Sequence, residues 1–279
     1  MLRAGRERSG PLRSIRTRRL ARERSSNASY EGGRDPGKRT RWFARRNRAV
    51  RQAAAARTKG GPNVADHVTD DRERWNDRYD RPDDDRDPDP IPELERRIDA
   101  LPDGRALDVA TGLGANAVYL ADHGYDVDAV DISDVALERA RDRAADRGVD
   151  VNWLRSDLAD FDPGRERYDL ITVRYFAALE HLPDLKAALA PGGALVYEHH
   201  LRSSDPVAGP SSDRYRYRSN DLLRACLDLT IDVYEERRRP VDGGADDGGD
   251  AEAVATLVAR KSCGGTQSYP LLARDGDES

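Results

Sequence analysis

The stretch Leu107–Ala121, LDVATGLGANAVYLA, constrains the fold more than any other part of the chain. An apolar strand runs through a glycine turn straight into a helix, with no intervening loop. Gly112 and Gly114 allow the tight turn, and the first backbone N–H groups of the helix then face the carboxyl end of the strand. Such a strand needs parallel neighbours, so the rest of the chain must supply further strand–helix units. Gly112, Gly114 and Ala117 satisfy the G-x-G-x-x-G/A pattern of a nucleotide-binding turn, which alone does not say which ligand it serves.

The units are there. Residues 66–79 read as a polar helix with Trp75 and Tyr79 four apart on one face, and RPDDDRDPDPIP then breaks it. A short helix over Glu93–Asp99 leads to strand one, Arg105–Val109. A helix over Gly114–His123, closed by Gly124, leads to strand two, Asp126–Val130. Ser133 caps the next helix, which ends at Gly148. Val149, Val151 and Trp153 alternate along strand three, and Tyr168–Val173 is strand four. A helix around Leu179–Leu189 precedes the turn Pro191-Gly192-Gly193 and strand five, Ala194–Glu198. After a helix near Ser219–Leu227, Leu229, Ile231 and Val233 alternate in strand six, and Ala251–Arg260 is strand seven. The connection RRRPVDGGADDGGD cannot supply a crossover helix, so strands six and seven form an antiparallel hairpin.

Charge divides the chain in two. Residues 1–63 hold 19 Lys+Arg against 4 Asp+Glu, whereas residues 64–279 hold 28 against 48, a net of −20. Arg-rich and poor in large apolar side chains, the arm 1–63 lacks the surface to offset its ordering entropy and reads as disordered. Its alternatives are a nucleic-acid contact with Trp42 and Phe43 for stacking, a transit peptide, a tail without specific role, or sequence upstream of the true start. We therefore expect the arm 1–63, one α/β domain over 64–262 and a tail over 263–279. The acid excess of that domain resembles proteins kept soluble in concentrated salt, although a GC-rich genome would favour the same residues. Cys226 and Cys263 show no framework or metal spacing, and Cys226 falls on an apolar helical stretch as a buried thiol. No run reaches the roughly 18 apolar residues of a membrane helix, so a cytoplasmic protein without metal or membrane contact is expected.

Two cofactors compete for the glycine loop. NAD requires a pyrophosphate at the helix N-terminus and a second mononucleotide-binding half, which the terminal hairpin contradicts. S-adenosylmethionine has no phosphate and carries a sulfonium and an ammonium, so acids beside the loop are welcome. Asp108 sits at the end of strand one, Asp131 ends strand two 19 residues after Gly112, and Asp157 follows strand three. Asp131 is placed for two ribose hydroxyls, and Asp157 for the adenine amino group or for its own turn.

The ordered set ALDVATGLGANAVYLADHGYDVDAVDIS, WLRSDLADF, YDLITVRYF and LAPGGALVYE resembles the successive motifs of class I S-adenosylmethionine-dependent methyltransferases. The resemblance covers roughly Trp75 to Arg260. It implies a Rossmann-like α/β fold with a seven-stranded, mostly parallel sheet of order 3-2-1-4-5-7-6, strand seven antiparallel and helices on both faces. Within the class, ERWNDRY, GANAVYLA and the late stretch from Gly209 to Arg237 look most like tellurite-resistance and thiopurine-type small-molecule methyltransferases. Ala110 stands where the usual loop has its first glycine, similar to D-V-A-T-G variants of quinone-biosynthesis methyltransferases. VRYF follows strand four in place of N-P-P-[YFW], which argues against methylation of adenine or glutamine amino groups.

The cofactor-binding set expected on this resemblance is Trp75, Asp108, Ala110, Thr111, Gly112, Gly114, Asn116, Asp131, Ile132, Asp157, Leu158 and Arg174. The acceptor is expected to be a small molecule, a thiol or chalcogen oxyanion among the choices. The alternatives are an RNA acceptor held by the basic arm, or a protein that binds the cofactor without transferring methyl. A thiolate needs no general base, whereas a hydroxyl does. His181, Glu198, His199 and His200 are the candidate bases, with the two adjacent histidines read as following strand five and at least one of them solvated. Arg174, Tyr175, Arg214, Tyr215 and Tyr217 are candidates for shaping the acceptor pocket.

Overall fold

The computed structural model describes residues 64–81, 88–241 and 251–264. The chain divides into two units, 1–61 and 62–279, and every described residue belongs to the second. The readings made for the arm, and for residues 265–279 of the tail, lie outside the described residues.

Seven strands form one sheet of order β3-β2-β1-β4-β5-β7-β6. They are β1 Arg105–Val109, β2 Asp126–Asp131, β3 Asn152–Arg155, β4 Tyr168–Arg174, β5 Leu189–His200, β6 Thr230–Pro240 and β7 Ala251–Arg260. The first five pair in parallel, and β7 runs antiparallel to both β5 and β6. The hairpin inferred from the Gly/Asp connection is therefore present.

The helices are α1 Val64–Tyr79, α2 Pro92–Arg97, α3 Ala115–Asp122, α4 Asp134–Arg147, α5 Leu182–Ala188 and α6 Asp221–Ala225, with a single 3₁₀ turn over Ile98–Ala100 and another over Asp213–Tyr215. Ser133 caps α4 by accepting from Ala136 N–H, and Gly148 closes it in the left-handed conformation.

Two apolar layers sandwich the sheet, as a doubly wound fold demands. On one face Ile91, Leu94, Ala117 and Leu120 pack against Ala106, Leu170, Ala194 and Val196. On the other, Leu182, Leu185, Leu222 and Cys226 pack against Leu107, Ile171, Leu195 and Leu257. Burial pushes the Cys226 thiol up to about 11, an inert core thiol as expected.

Five elements differ in extent from the sequence reading. β3 starts at Asn152, because Val149 N–H is spent on the carbonyl of Ala144 in closing α4. α5 and α6 are shorter than expected at both ends. β6 runs on through Arg237–Pro240, taking in residues assigned to the connection, because β7 offers a partner for each of them. β5 extends at both ends, from Leu189 to His200. His199 and His200 consequently lie within β5, not after it, and pair with Ala255 and Val254 of β7.

Candidate active site

The carboxyl ends of β1, β2 and β4 meet at the glycine loop. Thr111 N–H donates to the carbonyl of Val130, which closes the turn after β1 onto β2. Ala110 adopts φ +52, Gly112 φ +52 and Gly114 φ +81, so the loop uses three left-handed residues in five and one of them carries a Cβ. Gly114 is the tightest: a Cβ there would stand 2.9 Å from Ala140 Cβ on α4 and 3.0 Å from the Trp153 ring. At Gly112 a Cβ would meet the Tyr79 hydroxyl at 2.8 Å, so α1 rests directly on the loop.

Asp108 and Asp131 do different work. Asp108 is only 1% exposed and accepts from three side chains: Thr111 (2.5 Å), Thr172 (2.7 Å) and Asn116 (3.3 Å). Asn116 in turn accepts from Ile91 N–H at 3.0 Å, tying the entrance of α2 to the same knot. Burial raises the Asp108 pKa, and the three donors oppose it. Its lone pairs are turned inward, to hold the loop. Asp131 accepts from Gly112 N–H (2.8 Å) through one oxygen and from Ser133 N–H (2.9 Å) through the other. The N–H of half-buried Ile132 adds a further backbone hydrogen bond, and the carboxylate keeps acceptor capacity at the rim of the loop. Burial raises its pKa too, against the backbone donors.

The remaining candidates divide. Asp157 and Leu158 follow β3, half-buried, and Asp157 Oδ1 accepts from Ala159 N–H at 2.9 Å, the turn-acid geometry. Trp75 stacks on Tyr79 at 5.9 Å in α1, and Asn76 of that helix accepts from the Ser133 hydroxyl at 2.7 Å. Arg174 is not directed at the loop. Its guanidinium donates to Glu198 at 3.1 Å and to the carbonyl of Asp89.

Arg174 belongs to a knot joining the carboxyl ends of β4, β5 and β6 to β7, and sequence reading named Arg174, Tyr175 and Glu198 singly but missed their assembly with Arg239 and Glu252. Glu198 accepts from Arg174, from Arg239 at 2.7 and 2.8 Å, and from Thr256 at 3.1 Å. Arg239 also donates to Glu252 (2.6 Å) and to the Tyr175 hydroxyl (2.9 Å), and that hydroxyl donates to Glu252 at 2.8 Å. Burial alone would raise the Glu198 pKa; the two guanidiniums and Thr256 outweigh it and hold it below the ordinary value. Tyr175, the first residue after β4, sits at φ +54, an unusual conformation for a bulky residue that this knot holds in place.

The histidines are likewise reassigned. His199 and His200 are both buried, so the expectation that one is solvated fails: β7 and the 201–217 segment cover both. His199 Nε2 lies 3.1 Å from the Tyr215 carbonyl, which makes Nε2 the protonated nitrogen. The His200 ring stacks on Tyr175 at 4.1 Å and 5°, with Gly209 packed so closely that a Cβ would reach it at 2.8 Å. Burial, with neighbouring charge, lowers the two pKa values to about 3 and about 4. Neither is matched to take a proton near neutral pH. His181 precedes α5, half-buried, and stacks on Phe176 at 6.5 Å. With Glu198 held in ion pairs with Arg174 and Arg239, His181 is the one candidate base of the four left within reach of the turn after β4. Tyr217 is buried, its hydroxyl 2.6 Å from that of Tyr197, and Tyr197 fixes that turn through Phe176 and Ala178.

Residues 106–193 match the family profile described as a methyltransferase domain. Over that segment the chain is similar to methyltransferase domains. A ubiquinone biosynthesis O-methyltransferase of Coxiella burnetii is 31% identical over 111 residues, 37% of this chain and 46% of that protein. The chain thus spans about half the length of the curated relative. Among solved structures, TehB from Haemophilus influenzae superposes with a TM-score of 0.55 at 19% identity, covering 62% of this chain and 63% of that one. An S-adenosylmethionine-dependent methyltransferase from Methanosarcina mazei gives 0.50 at 15%, covering 63% and 99%. At such identities the superpositions speak for the fold. An S-adenosylmethionine cofactor fits the residues present, since Asp131 is a buried carboxylate at the rim of the glycine loop. Among the described residues no His/Cys/Asp/Glu cluster could hold a metal ion, and no helix is long and apolar enough to cross a membrane.

Proposed function

We propose that the chain transfers a methyl group from S-adenosylmethionine to a small-molecule acceptor. The observation that carries this reading is the juxtaposition of Asp131 and Gly112, 2.8 Å apart within a matched methyltransferase domain. S-adenosylmethionine, when bound, supplies a methyl group already activated on sulfur. The protein's own task is alignment, exclusion of water and electrostatics. Asp131 and the loop from Ala110 to Gly114 hold the donor side. Tyr175 and Phe176, fixed by the knots on Glu198 and Tyr197, face the acceptor.

The state of the histidines bears on the acceptor atom. With His199 and His200 neutral and enclosed, a nucleophile that is anionic before transfer, such as a thiolate, fits better than one needing a strong base. The tellurite-resistance and thiopurine resemblance points the same way. Calorimetric titration with S-adenosylmethionine, followed by S-adenosylhomocysteine formation across thiol, chalcogen and hydroxyl acceptors, tests both levels. Tighter binding of NAD would sink the cofactor assignment. Turnover of hydroxyls but not thiols would sink the nucleophile assignment.

A further inference from the structure

α1 reaches from the glycine loop to the Asp213–Tyr215 turn. Tyr79 rests on Gly112 and Asn76 on Ser133; one turn earlier, Arg74 donates to the Tyr215 hydroxyl at 3.4 Å. Arg214 donates to the same hydroxyl, and its guanidinium lies 4.3 Å from the Tyr215 ring centre. Two cations thus converge on one phenol oxygen. Arg74 has a carboxylate partner, Asp71 at 3.0 Å, in an exposed pair. Arg214 has no carboxylate within 4.0 Å among the described residues.

A third arginine follows two residues on in the chain. Arg216 is 8% exposed and donates to the carbonyls of Leu201, Ala208 and Pro210 at 3.0, 3.0 and 2.8 Å, with no carboxylate beside it among the described residues. A buried guanidinium balanced by dipoles alone leaves its field uncancelled. This occurs in a body whose net charge is −20, where acids are abundant everywhere else.

We infer that the acceptor carries a carboxylate, received by the forks of Arg74 and Arg214 with the Tyr215 hydroxyl between them. The inference rests on the methyltransferase reading. Guanidinium forks match planar oxyanions in bidentate geometry, which an ammonium or a neutral group cannot exploit. The cofactor's own carboxylate has the same chemistry, so the test must separate the two sources.

Binding to the full chain separates them without knowledge of the acceptor. S-adenosylhomocysteine is titrated first, and benzoate is then titrated into the saturated protein, with benzamide as the neutral isostere. We expect benzoate to bind and benzamide not to. In Arg74→Gln/Arg214→Gln, benzoate affinity should fall at least tenfold, with S-adenosylhomocysteine affinity held within twofold. Arg74→Lys/Arg214→Lys should fall between, since charge survives and the fork does not. Equal binding of benzamide, undiminished benzoate binding by the Gln variant, or a loss falling on S-adenosylhomocysteine instead would each overturn the inference. Wild-type protein that binds S-adenosylhomocysteine but not benzoate overturns it alone, whereas failure to bind S-adenosylhomocysteine removes the methyltransferase reading as well.

Discussion

Asp131 shows how much a single carboxylate can be asked to do. Backbone amides of Gly112, Ile132 and Ser133 orient it, and the acceptor capacity left over would receive a diol in the proposed site. Asp131→Asn turns one acceptor oxygen into a donor and removes the charge. Hydrogen bonds to charged groups contribute about 1.5–3 kcal/mol, so S-adenosylmethionine affinity should fall at least about tenfold by calorimetry. Unchanged affinity would remove Asp131 from the site. The loop itself makes a second comparison. Gly114→Ala must place a Cβ 2.9 Å from Ala140 Cβ at φ +81, and neither helix can yield without repacking. We expect a loss of about 2 kcal/mol or more. Ala110 already carries its Cβ at φ +52, so Ala110→Gly exchanges strain for chain entropy and should stay within about 1 kcal/mol. Urea unfolding of the two variants checks both; equal effects would show that crowding by α4 does not set the glycine requirement.

At the scale of elements, the assembly at the glycine loop was legible and the assembly across β5, β7 and β6 was not. Asp108, Gly112, Gly114 and Asp131 occupy one strand–turn–helix unit and the end of the next strand, so local pattern places them. Glu198, Arg239 and Glu252 meet only through the register of β5, β7 and β6, where Arg239 faces Glu252 and Glu198 faces Thr256. No local pattern encodes a register between strands 41 residues apart. The same pairing extends β5 to His200, which is why two residues read as a loop are core. Apolar alternation also stops at Val233, so the charged half of β6 carried no strand signal although β7 supports it throughout. The knot has an energetic consequence. Arg239→Gln leaves Glu198, 1% exposed, with Arg174 as its single remaining ionic partner. Breaking a buried pair from one side costs about 3–5 kcal/mol. The measured loss of stability should lie at the lower end of that range, because Arg174 remains. A loss under about 1 kcal/mol would mean that the cluster is hydrated.

For the whole molecule, the unusual choice is to bury titratable groups of both kinds at the carboxyl edge of one sheet. Their signs oppose one another. His199 and His200 are lowered from an ordinary 6.5 to about 3 and about 4. Between those limits the unfolded chain binds protons that the folded chain refuses, so stability is full above about pH 6.5 and is lost as pH falls toward 4. The slope approaches about 1.4 kcal/mol per pH unit for each ring. Asp108 and Asp131, raised by burial, take up protons in the folded state on the same descent and work against that loss. Glu198, held low, adds its own loss only below about pH 4.5. The absolute curve is therefore a sum of opposed contributions, and the informative quantity is a difference between variants. His199→Gln can still donate to the Tyr215 carbonyl but cannot titrate. Its unfolding free energy, measured in urea from pH 7.5 to 4.5, should run parallel to wild type above pH 6.5. Below that it should decline less steeply, by up to about 1.4 kcal/mol per pH unit. Parallel curves over the whole range would mean that His199 keeps an ordinary pKa in the fold, and His199 would then return as a candidate base.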